Sequence, residues 1–476
     1  MSRVLSRREA LGTMAASLAI AAGSARADAP PANVVLLISD EHNPRYAAPY
    51  GMPGVHTPNM DRLARAGTVY ERAYCPSPLC MPSRSAFMSG QPVHRLHTYS
   101  NCNLLMDDHD TYGKVLAAEG VHTVHVGKTD VFRPGAALGF SEMILPGDRR
   151  APGDTFISHH PLSIRTDGAE RADAYGPQER PFAGDDQKAD AAIEWLQKNG
   201  KTLGKPWVLS VNLIKPHFPH YVTPELWETY AKLPGFPPYG MDEATAQHPY
   251  CQDHRRHFQT ENFSAAQIEG LRRGYLGCIS YVDQQLGRIL DTLEAQGLRE
   301  NTVVAYTSDH GDMLGKFGMW WKCSLLEDAV RVPLIVAGPG FRAGTRVQTP
   351  VELHDLQAAV FRATGNTRPA AWRGTPLQDI PENDPQRVAF SEYHGHGVRA
   401  GGYMIRKGDW KLVWCAEAPH LLFNLREDPE ELHNRCEDQP DKFRELEAEL
   451  RRICDPEKEN AVSLAFQDRQ LQAALA

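Results

Sequence analysis

One cysteine stands out because its neighbours suit a reaction centre better than a hydrophobic core. Cys80 lies in the segment LCMPSRSAFMSG, at positions 79–90, together with Pro82 and Arg84. Proline is favoured at the first position of a helix, so the segment predicts a short helix with Cys80 just before its N-terminus. Backbone N–H groups at that end attract anions, and Arg84 lies one turn further on. The pattern indicates a nucleophile that meets an anionic group.

Acidic side chains and a histidine follow two apolar segments that predict buried strands. NVVLLIS ends before Asp40 and Glu41. NTVVAYTS ends before Asp309 and His310. Carboxylate oxygens with one imidazole can hold a divalent cation: the oxygens suit Ca²⁺ or Mg²⁺, and the histidine leaves Mn²⁺ open. Turn formation or helix capping by the aspartates is the alternative.

Two other apolar segments end in basic side chains. HTVHVGK ends at Lys128, and PWVLSVNLIKPH contains Lys215 and ends at His217. VPLIVAGPG predicts a fifth strand that ends in glycines. A single polar strand end is most simply a loop, but four strands that deliver acids, histidines or lysines favour a site, because ligands bind at the carboxyl ends of such strands.

Helical segments alternate with these strands. The strongest runs from Ser264 to Gly297 and begins with a capping box of Ser264 and Gln267. Another covers residues 185–200. Strands that alternate with helices predict an α/β fold with a mainly parallel central sheet flanked by helices.

The residue composition and the pattern of apolar residues change near residue 375. The segment TRPAAWRGTPLQDIPENDPQR is rich in loop-forming residues, and GYMIRKGDWKLVW and HLLFNL after it predict short strands around a turn. DKFRELEAELRRI predicts a final amphipathic helix. We therefore expect a catalytic domain over residues 33–375 and a small antiparallel α+β subdomain over 376–476.

The N-terminus and the composition indicate an exported protein. Residues 1–27 have a basic start, a short apolar stretch and a small-residue cleavage site, which is typical of a signal peptide, and Arg7 with Arg8 favours the twin-arginine type. No later apolar run has membrane length, so we expect a periplasmic or secreted protein without membrane insertion. The net charge of −8 argues against nucleic acid as a partner. Nine scattered cysteines form no disulfide framework.

The order of motifs resembles that of the type I, formylglycine-dependent sulfatases of the alkaline phosphatase superfamily. CMPSR is similar to their C-x-P-S-R signature, and similar text occurs in TPNMDRLARAG, GK, KPHFP, TSDHGDMLG and LFNLREDPEELHN. The resemblance extends over residues 33–435, nearly the whole chain after the signal segment. It implies an alkaline phosphatase-like fold and hydrolysis of a sulfate ester to an alcohol and inorganic sulfate.

The resemblance also implies a role for each matching residue. A formylglycine-generating maturation enzyme would oxidise Cys80 to formylglycine, whose hydrate would be the nucleophile, and Arg84 would hold its oxygen. His217 would be the general acid toward the leaving oxygen, with a near-neutral pKa. The groups expected to bind sulfate are Asn101, Lys128, His217 and Lys322. The expected metal ligands are Asp40, Glu41, Asp309, His310 and the modified Cys80, with Ca²⁺ first and Mn²⁺ or Mg²⁺ as alternatives.

Three positions depart from the commonest sulfatase pattern. Glu41 and His310 stand where Asp and Asn are commoner, and Asp130 stands where a histidine often follows the Gly-Lys lysine. The Asp-His pair also occurs in members similar to choline sulfatase, iduronate sulfatase and phosphonate monoester hydrolase. The departures leave the metal and the substrate alcohol open.

Two alternatives to a sulfatase remain at this point. One is a phosphonate monoester or phosphodiester hydrolase on the same scaffold, because a sulfate ester and a phosphate diester are both tetrahedral monoanions. The other is a noncatalytic carbohydrate-binding relative. The substrate is expected to be a sulfate ester of a small molecule or a saccharide, and the loops 140–185 and 220–260 are expected to shape the pocket for its alcohol. The histidines of these loops, His159, His160 and His254, are expected at the surface rather than as ligands.

Overall fold

A mainly parallel, eight-stranded sheet forms the centre of the computed structural model, which describes residues 30–102, 109–131, 138–147 and 153–475. The predicted signal peptide at 1–27 lies outside the described residues. Within those ranges, no helix is long and apolar enough to cross a membrane. The predicted fold class, an α/β fold with helices around a mainly parallel sheet, is confirmed.

The strand order in this sheet is β11-β2-β10-β9-β1-β7-β4-β5. Its strands are β1 (Asn33–Asp40), β2 (Thr68–Tyr70), β4 (His122–Lys128), β5 (Glu142–Gly147), β7 (Trp207–Pro216), β9 (Thr302–Ser308), β10 (Leu334–Ala337) and β11 (Thr345–Val347). Two pairs of short strands lie outside it: β3 (Ala73–Tyr74) with β12 (Val351–Glu352), and β6 (Tyr175–Pro177) with β8 (His220–Val222).

The helices surround the sheet and cover its two apolar faces. In chain order they are α1 (Pro58–Ala66), α2 (Cys80–Ser89), α3 (Val93–Leu96), α4 (Tyr112–Ala118), α5 (Gly168–Ala172), α6 (Ala183–Asn199), α7 (Pro224–Thr229), α8 (Pro249–Phe258), α9 (Ala265–Ala295), α10 (Glu327–Val330), α11 (Leu353–Ala363), α12 (Pro440–Ile453) and α13 (Pro456–Leu475).

Strand β1 is the central strand and is buried along its whole length. It pairs in parallel with β9 on one side and β7 on the other, with Ser39 opposite Ser308 and Asp40 opposite Pro216. Its valines, leucines and isoleucine suit a strand that is covered on both faces. Because the three strands end together, the polar residues that follow them meet at one edge of the sheet.

The five predicted strands all form, and the structure adds to them. The strand from VPLIVAGPG, β10, runs antiparallel to β9 and β2, so the sheet is mixed at that side. Strands β2, β5 and β11 have three to six residues and were not predicted, since such short segments carry little periodicity.

Helix α9 is the longest helix and packs along the sheet. It begins after Ser264, whose side chain forms the predicted capping box with Gln267. Small residues allow close approach: a Cβ atom at Gly274 would lie 2.2 Å from the backbone oxygen of His220 on β8. The helix therefore holds the short strand that follows the predicted general acid, His217.

The C-terminal part contains an antiparallel sheet of β13 (Val388–Tyr393), β14 (Gly402–Lys407), β15 (Trp410–Cys415) and β16 (Leu421–Asn424). The predicted amphipathic helix forms as α12, and it packs against this sheet. The prediction that α12 is the final helix is wrong, because α13 follows it. Helix α13 places Phe466 against Tyr99 and bonds Gln467 to the backbone oxygen of His394, so tertiary contacts stabilise it where its apolar pattern is weak.

A buried ionic cluster joins this sheet to the larger part. The ammonium of Lys411 on β15 donates to Glu327 of α10 at 3.0 Å and to Glu431 at 2.8 Å. The side chain of Lys411 is fully buried. Glu431 in turn accepts the backbone N–H of Glu327. Charged groups buried at this depth are stable only when they are paired and hydrogen-bonded.

Candidate functional site

Cys80 lies at the start of α2, at the carboxyl edge of the central strands. The helix begins at Cys80, so the prediction that Cys80 precedes the helix and that Pro82 is its first residue is wrong by two positions. Proline is tolerated throughout the first turn, where its missing N–H has no partner to lose. The predicted helix itself is confirmed, and it is buried along its whole length.

Two of the three predicted metal-binding acids, and the predicted histidine, converge on this cysteine. The Nε2 atom of His310 lies 3.3 Å from the Cys80 Sγ, and Oδ1 of Asp40 lies 3.8 Å from the same sulfur. One possible ligand atom from each of Asp40, Cys80, Asp309 and His310 lies within 4.8 Å of the others. Glu41 joins Asp40 and His217 in a second such group, which shares Asp40 with the first.

Glu41 adopts an unusual backbone conformation for its residue type. Its φ is 71°, in the left-handed region, where a residue with a side chain is uncommon. The hydroxyl of Tyr275 on α9 donates to the backbone oxygen of Glu41 at 2.7 Å, and the N–H of Glu41 donates to Oδ1 of Asp309 at 3.2 Å. These bonds hold the turn after β1, and the turn directs two successive acidic side chains to one site.

Arg84 fastens α2 to the strands below it. Its Nε donates to Oδ2 of Asp309 at 2.7 Å, and its Nη1 donates to Oδ1 of Asn212 on β7 at 3.1 Å. Burial opposes the charge of this guanidinium, but Asp309 and Asp40 raise its pKa above the ordinary value. Arg84 therefore stays cationic and fixes the position of a carboxylate next to the cysteine.

Two lysines bring positive charge to the same site. The ammonium of Lys128 contacts Asp40 and lies 3.3 Å from Oδ2 of Asp130. The ammonium of Lys322 lies 3.3 Å from Oε2 of Glu41. Burial disfavours the Cys80 thiolate, but Lys128, Lys322 and His310 outweigh it and lower the pKa of Cys80 to about 6. The site therefore stabilises negative charge at the position of the cysteine sulfur.

His217 lies beside Glu41, but its protonation differs from the predicted near-neutral pKa. Its Nδ1 donates to the backbone oxygen of Phe218 at 2.7 Å, and its Nε2 lies 3.5 Å from Oε2 of Glu41. Burial and the charge of Lys322 hold the pKa of His217 well below its ordinary value. The imidazole is therefore neutral at pH 7 until further negative charge enters the site.

The donor set fits a hard divalent cation. Burial raises the pKa of Glu41 well above its ordinary value, and its Oε1 is buried without a hydrogen-bond partner among the described residues. The Nδ1 of His310 donates to the backbone oxygen of Gly311 at 3.0 Å, which leaves Nε2 to face the acids. A cation at this place would satisfy the free oxygen and neutralise the crowded carboxylates.

Asn101 lies close to the helix start rather than free in the cavity. Its side-chain oxygen accepts the backbone N–H of Met81 at 3.0 Å, so it caps α2. Within the part of the chain that the structure describes, its amide nitrogen has no hydrogen-bond partner and can face a ligand. The structure thus brings all ten predicted site residues to one place: Asp40, Glu41, Cys80, Arg84, Asn101, Lys128, His217, Asp309, His310 and Lys322.

Two of the three histidines expected at the surface are buried, and for these the prediction is wrong. The Nε2 of His254 donates to the backbone oxygen of Lys322 at 2.7 Å, so His254 supports the loop that carries this lysine. His159 bonds through Nδ1 to the backbone oxygen of Val398. His160 is exposed, as predicted. His254 is part of helix α8 rather than of a loop, and Gln467 of α13 donates to Nε2 of His159 at 3.2 Å.

Sequence reasoning also missed residues that shape the site. Asn212 binds Arg84, and Tyr275 binds the backbone of Glu41. Asn212 could have been noticed as a polar residue within the apolar strand WVLSVNLI. Tyr275 carries no such signal, because it lies in an apolar stripe of α9 like any core residue.

Comparison with known families identifies the class of enzyme. The family described as Sulfatase matches residues 32–366, and the family described as N-sulphoglucosamine sulphohydrolase, C-terminal, matches residues 315–459. A choline-sulfatase of Rhizobium meliloti (strain 1021) is 30% identical over 427 residues, which cover 85% of this chain and 82% of the relative. Arylsulfatase K of Danio rerio is 28% identical and covers 89% of this chain and 84% of the relative.

Solved structures share the fold. A protein solved in complex with its substrate D-glucosamine-2-N,6-O-disulfate has a TM-score of 0.71 at 20% identity and covers 93% of this chain and 98% of its own. The phosphonate monoester hydrolase of Silicibacter pomeroyi has the same TM-score at 22% identity and covers 90% of this chain and 96% of its own. At such identities the likeness concerns the fold alone.

The family matches and the curated relatives define a sulfuric ester hydrolase. The chain belongs to the type I sulfatase family of the alkaline phosphatase superfamily. It hydrolyses sulfate esters, and this membership removes the noncatalytic binding protein as an alternative.

Proposed function

We propose that the chain hydrolyses its sulfate ester with a formylglycine made from Cys80 and one divalent metal ion, and that it is exported by its N-terminal signal to the periplasm or beyond. The observation that carries the proposal is the position of Cys80, at the point where the buried acids meet two buried lysines. A structural cysteine needs neither group. A maturation enzyme that acts on the C-x-P-S-R segment is the implied partner.

The hydrated aldehyde would supply two hydroxyls on one carbon, one to attack sulfur and one to release sulfate as the carbonyl forms again. Arg84 holds Asp309 in place and screens charge near that carbon. Lys128 and Lys322 stabilise the negative charge that develops on the sulfuryl oxygens. Asn101 adds an amide donor at the start of α2.

His217 is proposed to donate the proton to the leaving alcohol oxygen. Its Nδ1 is held by the Phe218 backbone, so Nε2 is the nitrogen that faces the cavity. A bound sulfate ester adds negative charge next to this ring and favours its protonated form. The donated proton then completes the alcohol as the sulfur–oxygen bond breaks.

A metal would be held by Asp40, Glu41, Asp309 and His310, beside the oxygen that replaces the Cys80 sulfur. Such a cation supplies concentrated positive charge close to the reacting sulfur. The oxygen-rich ligand set favours Ca²⁺, and the imidazole allows Mn²⁺ or Mg²⁺. Metal analysis of protein purified without chelator would identify the ion.

Mass spectrometry of one tryptic peptide tests the modification. Cleavage after Arg72 and Arg84 releases residues 73–84, which contain both Cys75 and Cys80. In protein made with a maturation enzyme, Cys80 should be an aldehyde while Cys75 in the same peptide keeps its thiol and reacts with an alkylating agent. A Cys75→Ala variant should retain the aldehyde. Fully active protein with an unmodified Cys80 would contradict the proposal.

Kinetics test the reaction itself. Cys80→Ala should reduce kcat on an aryl sulfate on the order of a thousandfold or more, because it removes the nucleophile. An aryl sulfate and an aryl phosphodiester with the same leaving phenol separate the proposal from the phosphodiesterase alternative. A kcat/KM that is higher for the phosphodiester would favour that alternative.

A further inference from the structure

An arginine occupies a group of aromatic rings beside the proposed reaction centre. Arg171 lies on the short helix α5. Its guanidinium carbon is 4.4 Å from the ring centre of Phe218, 5.4 Å from that of Trp321 and 6.0 Å from that of Phe258. These distances are typical of cation–π contacts, which hold a guanidinium in a defined orientation.

The aromatic group adjoins the residues that would bind sulfate and protonate the leaving oxygen. Phe218 follows His217 in sequence, and the two rings stack with centres 4.4 Å apart. Trp321 precedes Lys322, whose ammonium lies 5.9 Å from the Phe218 ring centre. Arg171 is therefore close to the side of the site where the alcohol of a sulfate ester leaves.

The hydrogen bonds of Arg171 leave one end of its guanidinium free. Nε donates to Oδ2 of Asp167 at 2.9 Å. Arg165 also donates to Asp167 through Nε and Nη2, and it donates to Asp154 through Nη1. Among the described residues, no acceptor lies within hydrogen-bond distance of Nη1 or Nη2 of Arg171.

The Arg171 side chain is partly exposed to solvent, and Asp167 compensates only part of its positive charge. The side chain of Arg171 is 15% exposed, and that of His217 is 17% exposed. Burial and the charge of Arg165 lower the pKa of Arg171 below its ordinary value. The guanidinium would therefore gain from another anion, and its two terminal nitrogens match the two oxygens of a carboxylate.

We propose that Arg171 is a specificity residue and that the enzyme prefers sulfate esters whose alcohol carries a carboxylate. The inference rests on the proposed reaction at Cys80, because it concerns the leaving group of that reaction. The sulfate would lie between Lys128 and Lys322, and the carboxylate would bind the free end of Arg171.

The same contacts argue against a quaternary ammonium at this place. A trimethylammonium group is bound by aromatic faces, but here the faces of Phe218 and Trp321 already hold a guanidinium. A second cation would be repelled by Arg171. The preference therefore differs from the one that the name of the choline-sulfatase relative indicates for that protein.

The test compares two matched substrates. We would measure kcat/KM for (carboxymethyl)phenyl sulfates and for the corresponding (carbamoylmethyl)phenyl sulfates, which are neutral and nearly equal in size. The ortho, meta and para isomers sample different distances between the sulfate and the carboxylate. In at least one isomer, the carboxylate should be preferred about tenfold or more, as expected for a paired charge.

Variants then assign the preference to Arg171. Arg171→Gln should reduce the ratio of the two kcat/KM values to about one, whereas Arg171→Lys should keep part of it. Arg288→Gln is the matched control, because Arg288 binds Asp190 on the outer surface and should keep the full ratio. A purely structural role of Arg171 would lower both values together and leave the ratio unchanged.

Each result separates this inference from the proposed function. Choline sulfate is measured beside these phenyl sulfates as a cationic substrate. The inference is overturned if every isomer pair is cleaved at equal rates, if the ratio survives in Arg171→Gln, or if choline sulfate has the highest kcat/KM of all. In all three cases sulfate is still released, so the proposed function stands. If the formylglycine is present but no sulfate ester in the series is cleaved, the proposed function fails instead.

Discussion

Replacement of Lys411 by methionine should destabilise the protein strongly, because it leaves two carboxylates without their shared cation. The ammonium of Lys411 is fully buried and binds Glu327 at 3.0 Å and Glu431 at 2.8 Å. Removal of one partner from a buried ion pair costs about 3–5 kcal/mol. Methionine keeps the length of the side chain, so loss of packing contributes little.

The control is Lys407→Met on the neighbouring strand β14. Lys407 binds Glu445 and Glu449 at the surface of α12, where an ion pair is worth about 1 kcal/mol or less. Urea unfolding followed by fluorescence gives the midpoint for both variants. The Lys411→Met midpoint should fall far more. A second change, Glu431→Gln, should restore part of the loss because it removes one of the stranded charges.

The loss should also depend on pH. Burial favours the neutral form of both carboxyls, and it raises the pKa of Glu431 although the charge of Lys411 opposes this. Burial also opposes the charge of Glu327, but Lys411, Arg406 and Arg331 hold the pKa of Glu327 below its ordinary value. Without Lys411, both pKa values in the folded protein should rise, and that of Glu431 should lie further above its value in the unfolded chain. The loss of stability caused by Lys411→Met is then largest at a pH above the pKa values of the carboxyls in the folded protein. It becomes smaller as the pH falls and the carboxyls are protonated. Equal midpoints for Lys411→Met and Lys407→Met, or a loss that is the same at pH 8 and pH 5, would refute the reasoning.

Three more predictions concern α9, α2 and the metal. Gly274→Ala should destabilise by about 1–3 kcal/mol, since its Cβ would lie 2.2 Å from the His220 backbone oxygen; thermal melting should show no such loss for Gly184→Ala, whose Cβ meets nothing within 4 Å. Arg84→Lys should lower kcat about tenfold or more without loss of fold, because lysine cannot bind Asp309 and Asn212 together; an unchanged kcat would argue against its role. Chelation should abolish activity and lower the melting temperature, and Ca²⁺ should restore both; full activity in protein shown to be metal-free would contradict the metal site.

The sequence predicts most of the site because its chemistry is local. Asp40 and Glu41 directly follow a continuous apolar strand, and the rule that parallel strands end at one edge brings them to Asp309 and His310 without further information. The capping box of Ser264 is equally local and is confirmed.

The missed features depend on tertiary contacts. The antiparallel direction of β10 is set by its pairing with β9 and β2. No property of the β10 sequence itself encodes that direction. The burial of His254 depends on its bond to the Lys322 backbone, a contact of distant segments. The low pKa of His217 likewise depends on burial and on Lys322, whereas its ordinary value suggested a ready proton donor. Such effects require the three-dimensional arrangement.

The complete burial of Cys80 has a consequence for how the active protein is produced. Cys80 is 0% exposed and is the first residue of α2. Another enzyme can reach this thiol only before the chain folds around it. The proposed conversion of Cys80 would therefore compete with folding once, during synthesis, and the outcome would set the active fraction of a preparation. Molecules that fold first would be stable yet permanently inactive, and a maturation enzyme supplied later would not rescue them.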